Sequence, residues 1–179
     1  MTFDQFELDL LNDALEQMSE ESVQRRLSTF KELRSSALNN EHWFEWELYY
    51  HLLNVDRGWN REKRGLGNRK RENRQRGDGV DLQFSNNRFI ELRAATTEKT
   101  NMSWVLKGLK DHRDADAVLF LALSHENLRK WLKIHKVDDN KIHYREQDYE
   151  INTRDVNEDW IVGIVKMIQH PHLHPTDQR

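Results

Sequence analysis

The chain has 179 residues, of which 36% are hydrophobic and 33% are charged, and its net charge is −3. This length fits one compact domain, and six tryptophans and seven phenylalanines supply apolar surface that a disordered chain would lack. The absence of cysteine excludes disulfides, thiolate metal sites and a cysteine nucleophile. No apolar run approaches the roughly 20 residues of a membrane span, and the N-terminus is acidic, so we expect a cytoplasmic protein without membrane contact.

The first forty residues predict two amphipathic helices. Apolar residues recur at intervals of three and four from Phe3 to Met18 and again from Val23 to Ala37. Between them, residues 19–22 read Ser-Glu-Glu-Ser, which is typical of a helix start. We therefore expect residues 1–38 to form an N-terminal helical extension.

A third helix is predicted from about Asn39 to Gly58, with Phe44 and Leu48 on its buried face. Glu41 falls in the middle of this apolar stripe and Glu45 at its edge. An acid that faces inward requires a partner, so both are candidate site residues. Aromatic side chains cover much of the opposite face, which we expect to pack on the N-terminal helices or on a second copy in a homodimer.

A strongly basic segment follows the third helix. Residues 57–76 contain nine Lys or Arg residues and two acids, so the segment carries a charge of +7 in a chain that is acidic overall. Two interpretations remain open, a flap that contacts DNA phosphates and a solvated loop. The first assigns nucleic-acid contacts to Arg61, Lys63, Arg64, Arg69, Lys70, Arg71, Arg74 and Arg76.

A hairpin is predicted directly after the basic segment. Apolar residues alternate along 81–84, residues 85–87 read Ser-Asn-Asn, and a second apolar stretch follows. Residues equidistant from the turn pair across a hairpin, so Asp81 and Glu91 should lie side by side. Arg93 is two residues beyond Glu91 and therefore shares its strand face. Two adjacent carboxylates and a cation form a cluster that suits a divalent metal ion and a phosphate.

The rest of the chain predicts further α/β structure. Helical spacing runs from Met102 to Asp111, and residues 117–123 form a continuous apolar run that indicates a buried strand. The strand, helix and strand predict a parallel pair with a right-handed crossover. A helix over residues 126–135 and weaker strands at 141–144 and 161–167 should follow.

These residues resemble the PD-(D/E)xK nuclease superfamily, whose fold is called restriction-endonuclease-like. Asp81, after Gly79 and Val80, stands where the first acid of that motif would be, and Glu91-Leu92-Arg93 stands where (D/E)xK would be. The resemblance covers roughly residues 41–123. It implies an α/β fold with a mixed sheet flanked by helices, in one domain with its core at 39–168 and a tail at 169–179.

The resemblance also implies a function, a Mg²⁺- or Mn²⁺-dependent DNA endonuclease. Asp81 and Glu91 would bind the metal, Arg93 would act on the phosphate, and Glu41 or Glu45 would hold a metal-bound water or a second ion. Arg93 departs from the motif, whose last residue is lysine, and arginine cannot act as a base. Lys99, Lys107 or Lys110 could replace the missing amine. The alternative is an inactive relative that binds nucleic acid or a protein partner.

Three histidines, at 170, 172 and 174, form the densest histidine group of the chain. On an extended segment, this spacing places all three imidazoles on one side, as a zinc site would require. Two nearby prolines and the terminal position favour a frayed tail instead.

Overall fold

The computed structural model describes residues 3–33, 43–44, 46–48, 51, 81–84, 88–95, 102–111 and 115–168. Four helices have defined bounds: α1 (Gln5–Ser19), α2 (Glu21–Leu33), α3 (Met102–Asp111) and α4 (Glu126–His135). The described residues between 43 and 51 are also helical, and we call them the 43–51 segment. None of the helices in these ranges is long and apolar enough to cross a membrane.

Seven strands form one mixed sheet in the spatial order β1-β2-β3-β7-β6-β5-β4. The strands are β1 (Leu82–Gln83), β2 (Phe89–Ala95), β3 (Ala117–Leu123), β4 (Lys136–Asp138), β5 (Lys141–Tyr144), β6 (Gln147–Asp155) and β7 (Trp160–Met167). As predicted, β2 and β3 pair in parallel, and α3 lies in the connection between them. The other neighbours in the sheet are antiparallel. The chain therefore has a mixed α/β fold.

Helices cover both faces of the sheet because the side chains of the central strands alternate between two cores. Leu119 and Leu121 of β3 pack with α1 and the 43–51 segment. Val118 and Phe120 of the same strand pack with α3 and α4 on the opposite face. Both faces of β3 are apolar for this reason, and its sequence is a continuous hydrophobic run.

Ion pairs fasten the start of α1 to the sheet. Asp4 caps the helix by accepting a hydrogen bond from the Glu7 N–H, and Arg88, just before β2, contacts both acids at 2.6 and 2.7 Å. Lys166 of β7 also contacts Glu7, at 2.7 Å. Burial raises the pKa of Asp4, but the hydrogen bonds from Glu7 and Arg88 outweigh it, so this pKa lies below the usual range. The charged Asp4 is therefore part of the native contact.

The elements agree with the sequence except in the C-terminal half of the sheet. The strands predicted at 141–144 and 161–167 are present as β5 and β7, whereas β4 and β6 were not predicted. The predicted third helix is described only at the 43–51 segment, where Phe44 and Leu48 are fully buried as expected. The basic segment 57–76 and the tail 169–179 lie outside the described residues.

Candidate active site at the hairpin

The hairpin register brings the two predicted metal ligands level with each other. Leu82 pairs with Ile90 across the antiparallel strands β1 and β2, and continuing this register by one residue places Asp81 opposite Glu91. Strand β1 begins only at Leu82, and the Asp81 Oδ2 atom accepts a hydrogen bond from the Leu92 N–H at 2.8 Å. The aspartate carboxylate thus occupies a position on the edge of β2 that a longer β1 would fill with backbone.

Glu91 and Arg93 form an ion pair on the face of β2 that α3 covers. The Arg93 Nη2 atom lies 2.8 Å from the Glu91 Oε1 atom. Glu91 is only 3% exposed and Arg93 9%. Charge-assisted hydrogen bonds of this length are stronger than neutral ones, and burial reduces their screening by water. Arg93 therefore places a positive charge beside Glu91 on β2, the strand that Asp81 also contacts.

Helix α3 forms the wall of the site through a glycine and a tryptophan. A Cβ atom on Gly108 would lie 3.0 Å from Arg93 Nε and 3.3 Å from Glu91 Cγ, so only glycine allows the helix this close without displacement. The Arg93 guanidinium carbon lies 5.2 Å from the centroid of the Trp104 ring, within cation–π range. Trp104 is 37% exposed and marks where the buried ion pair approaches solvent.

The lysines that could supply the missing amine have different positions. The Lys107 Nζ atom lies 5.4 Å from the same Trp104 ring centroid and 3.6 Å from Asp111. Lys107 therefore shares an aromatic neighbour with Arg93. Lys110 is exposed on α3, and Lys99 lies outside the described residues.

Several predicted site residues fall outside the described ranges. These are both helix acids and the eight basic residues assigned to nucleic acid, namely Glu41, Glu45, Arg61, Lys63, Arg64, Arg69, Lys70, Arg71, Arg74 and Arg76. Their roles stay predictions. The described part of the site consists of Asp81, Glu91 and Arg93 with the α3 wall.

The donor chemistry of the hairpin fits a hard divalent cation. Mg²⁺ and Mn²⁺ prefer oxygen ligands, and protein sites for Mg²⁺ often use only one or two carboxylates with water and phosphate oxygens. Each carboxylate can accept at several lone pairs, so the bonds from Leu92 and Arg93 do not exhaust Asp81 and Glu91. Glu91 is only 3% exposed, so it would have to become more accessible before it could bind an ion that keeps several of its waters.

Sequence reasoning did not assign Trp104 and Gly108 to the site. Both lie on α3, the helix that the sequence predicts from Met102 to Asp111. The one available signal was Gly108 within a helix, which lowers helix propensity by about 1 kcal/mol relative to alanine and so suggests a close packing contact.

The chain matches no family model, and no curated protein or solved structure is significantly similar to it.

Proposed function

We propose that this chain is a metal-dependent nuclease that hydrolyses phosphodiester bonds in DNA at Asp81, Glu91 and Arg93. The observation that carries the proposal is that all three residues lie on or against the middle of β2. Asp81 is held against the Leu92 N–H, Glu91 is level with it on the next strand, and Arg93 contacts Glu91. The parallel pair β2 and β3, with α3 between them, supports the restriction-endonuclease-like fold that the sequence motif implies.

Each residue has a separate role in this proposal. Asp81 and Glu91 would hold a Mg²⁺ or Mn²⁺ ion, which when bound polarises a phosphate oxygen and lowers the pKa of a coordinated water. Arg93 would bind the phosphate, because the planar array of guanidinium donors matches phosphate oxygens. Trp104 keeps the arginine in place by contact with the guanidinium. The basic segment 57–76 would contact the DNA backbone.

A second function, a non-catalytic binding module of the same fold, is favoured by the burial of the ion pair. Glu91 is 3% exposed and already forms an ion pair with Arg93 at 2.8 Å. A carboxylate satisfied in this way has less to gain from a metal ion. In this case the hairpin would stabilise the fold, and nucleic acid or a protein partner would bind elsewhere.

Calorimetric titration with Mn²⁺ separates the two functions. The nuclease proposal predicts a specific heat of binding in the natural chain that disappears in Asp81→Asn. We choose Asp81 because it is half-buried, whereas removal of Glu91 would break an ion pair between two buried side chains, at a cost of about 3–5 kcal/mol. Glu126→Gln, which removes an exposed acid at the start of α4, is the matched control and should bind as the natural chain does.

If the natural chain and Asp81→Asn give the same heat, the hairpin does not bind the metal and the binding-module function is the better one. Circular dichroism of each variant shows whether the fold is retained.

A further inference from the structure

A second group of potential metal ligands lies on the opposite side of the sheet from Glu91 and Arg93, between α1 and the 43–51 segment. Asp13, Glu16 and His51 each offer one ligand atom, and these atoms all lie within 4.8 Å of one another. Asp13 and Glu16 are three residues apart on α1, so their side chains share one face of the helix. His51 approaches them from the facing segment.

The three side chains differ in their exposure to solvent. Asp13 is completely buried, next in the chain to the core residue Ala14, whereas His51 is half-buried and Glu16 is exposed. A carboxylate in the core loses its hydration and is stable only where donors or cations are close. Glu16 at the rim gives an ion a route from solvent to the buried aspartate.

His51 provides an independent indication of a ligand. Its Nε2 atom is buried and, among the residues that the structure describes, has no hydrogen-bond partner. A buried imidazole nitrogen without a partner is costly in free energy, and metal coordination is one of the ways in which proteins satisfy it. This imidazole nitrogen and the two carboxylates therefore lie close enough together to share one ion.

Shared core packing and a hydrogen bond hold α1 and the 43–51 segment together beside the three ligands. Phe44 and Leu48 of the 43–51 segment are fully buried in the same core as α1, and Gln17 Nε2 donates a hydrogen bond to Glu47 Oε2 at 3.2 Å. Two ligands at about 2.1 Å from one ion lie at most about 4.2 Å apart. From 4.8 Å, side-chain adjustment alone can therefore close the group around an ion.

We propose that Asp13, Glu16 and His51 form a Zn²⁺ site that joins α1 to the 43–51 segment. One imidazole and two carboxylates are ligands that zinc accepts in tetrahedral sites, with water in the fourth position. Imidazole disfavours Mg²⁺ and Ca²⁺, and Zn²⁺ binds nitrogen and oxygen donors more tightly than Mn²⁺. This site is separate from the hairpin and does not depend on the proposed nuclease function.

The test is a titration of the chelator-treated full-length protein with Zn²⁺ alone, by calorimetry and thermal unfolding. The three tail histidines, His170, His172 and His174, are replaced by Gln and Asp81 is replaced by Asn in every sample, so that neither the tail nor the hairpin can bind the probe. We expect one Zn²⁺ per chain and a higher unfolding temperature, because an ion that binds only the native state stabilises it. The matched control is Glu20→Gln, which replaces an exposed acid one turn beyond Glu16. It should leave the zinc stoichiometry and the rise in unfolding temperature unchanged.

His51→Gln and Asp13→Asn should each weaken Zn²⁺ binding by more than tenfold, since even residues that only orient a metal ligand contribute about 10- to 100-fold to affinity. Undetectable Zn²⁺ binding or unchanged affinity in His51→Gln would each overturn the proposal. Because His51 is only half-buried, its replacement gives a result even if Asp13→Asn fails to fold.

Discussion

Arg93 is the residue that distinguishes a catalytic hairpin from an inactive one. Its guanidinium forms an ion pair with Glu91 and lies against Trp104. As a phosphate clamp it would use a planar arrangement of donors that an ammonium does not reproduce. If Arg93 instead replaced the lysine of the motif with loss of activity, the chain would lack the amine that the motif provides.

We predict that Arg93→Lys slows DNA cleavage by the protein about tenfold, the effect of losing one charge-assisted hydrogen bond of about 1.5 kcal/mol in the transition state. Initial rates of plasmid nicking at saturating Mg²⁺ measure this. Lys107→Met, which removes the other cation beside Trp104, is the control and should have a smaller effect. Faster cleavage by Arg93→Lys would show that an amine is needed and would contradict the clamp.

Tyr149 provides a residue-scale test of the core. It is fully buried, and within the described part of the chain its hydroxyl has no hydrogen-bond partner. Burial, together with Tyr144, raises the pKa of Tyr149 above the usual 10.0, against an opposing effect of Arg145. The native state therefore holds this proton more tightly than the unfolded chain, so the contribution of Tyr149 to stability falls as the pH rises above 10.

Tyr149→Phe should raise the free energy of unfolding by about 1 kcal/mol at neutral pH, because it removes a buried group without a partner. The gain should increase above pH 10, since phenylalanine has no proton to lose. Urea unfolding of both proteins at pH 8 and pH 11 measures the difference. A variant less stable than the natural chain at both values would indicate that the hydroxyl is hydrogen-bonded.

The proximity of Glu91 and Arg93 could be predicted from sequence, but the surroundings of this pair could not. Spacing of two along a strand places Glu91 and Arg93 on one face, and the structure shows their contact. Trp104 and Gly108 reach the same site only because of how α3 docks on the sheet, and helical periodicity identifies the buried face of a helix but not the particular strand residues it contacts.

At the scale of elements, α1 is fastened to the sheet by ionic contacts. Glu7 is 2% exposed and lies between Arg88 and Lys166, at 2.7 Å from each. A charge buried this deeply is stable only with its partners in place. The contacts join the first helix to residues more than eighty positions away, at the start of β2 and in β7.

Arg88→Met should lower the free energy of unfolding by about 2 kcal/mol, less than the loss of a whole buried pair because Lys166 still compensates Glu7. Arg25→Met is the matched control. Arg25 pairs with Glu21 on the surface of α2, where both side chains are about four-fifths exposed, so its removal should cost less than about 0.5 kcal/mol. Equal urea midpoints for the two variants would show that the contacts at Glu7 do not stabilise α1.

The strands differ in how clearly the sequence reveals them. Strand β3 is buried on both faces and is uniformly apolar, so its pattern was evident. Strand β6 pairs on both edges but is mostly polar, with burial concentrated at residues 149–151, and β4 has three exposed residues directly after α4. Backbone pairing, which a hydrophobicity pattern does not register, determines both of these strands.

At the scale of the whole molecule, the charge distribution predicts how nucleic acid would bind. The basic segment 57–76 carries +7 in a chain of net charge −3. A charged loop that neutralises phosphates releases counterions, so its affinity for DNA falls steeply with salt. The sequence identifies this segment by composition alone, and it has no periodicity from which a fold could be predicted.

Replacing Arg69, Lys70, Arg71 and Arg74 by Ser should reduce the slope of log affinity against log salt by up to about 3.6, because each phosphate that the protein neutralises contributes about 0.9 to that slope. Fluorescence anisotropy with a labelled duplex from 50 to 300 mM salt measures the slope. Replacing four basic residues at the surface of α4 and β5, namely Arg129, Lys130, Lys133 and Lys141, is the charge-matched control. If both variants reduce the slope equally, the segment acts only through its net charge.

The central claim is that Asp81, Glu91 and Arg93 form a metal-dependent hydrolytic site, and the most direct test is cleavage itself. Purified natural protein and Asp81→Asn are incubated with plasmid, single-stranded and branched DNA in Mg²⁺, in Mn²⁺ and in chelator. We expect the natural chain to cut at least one substrate in the presence of metal, and we expect chelator and Asp81→Asn each to abolish cleavage. No cleavage of any substrate by the natural chain, or equal cleavage by Asp81→Asn, would contradict the claim.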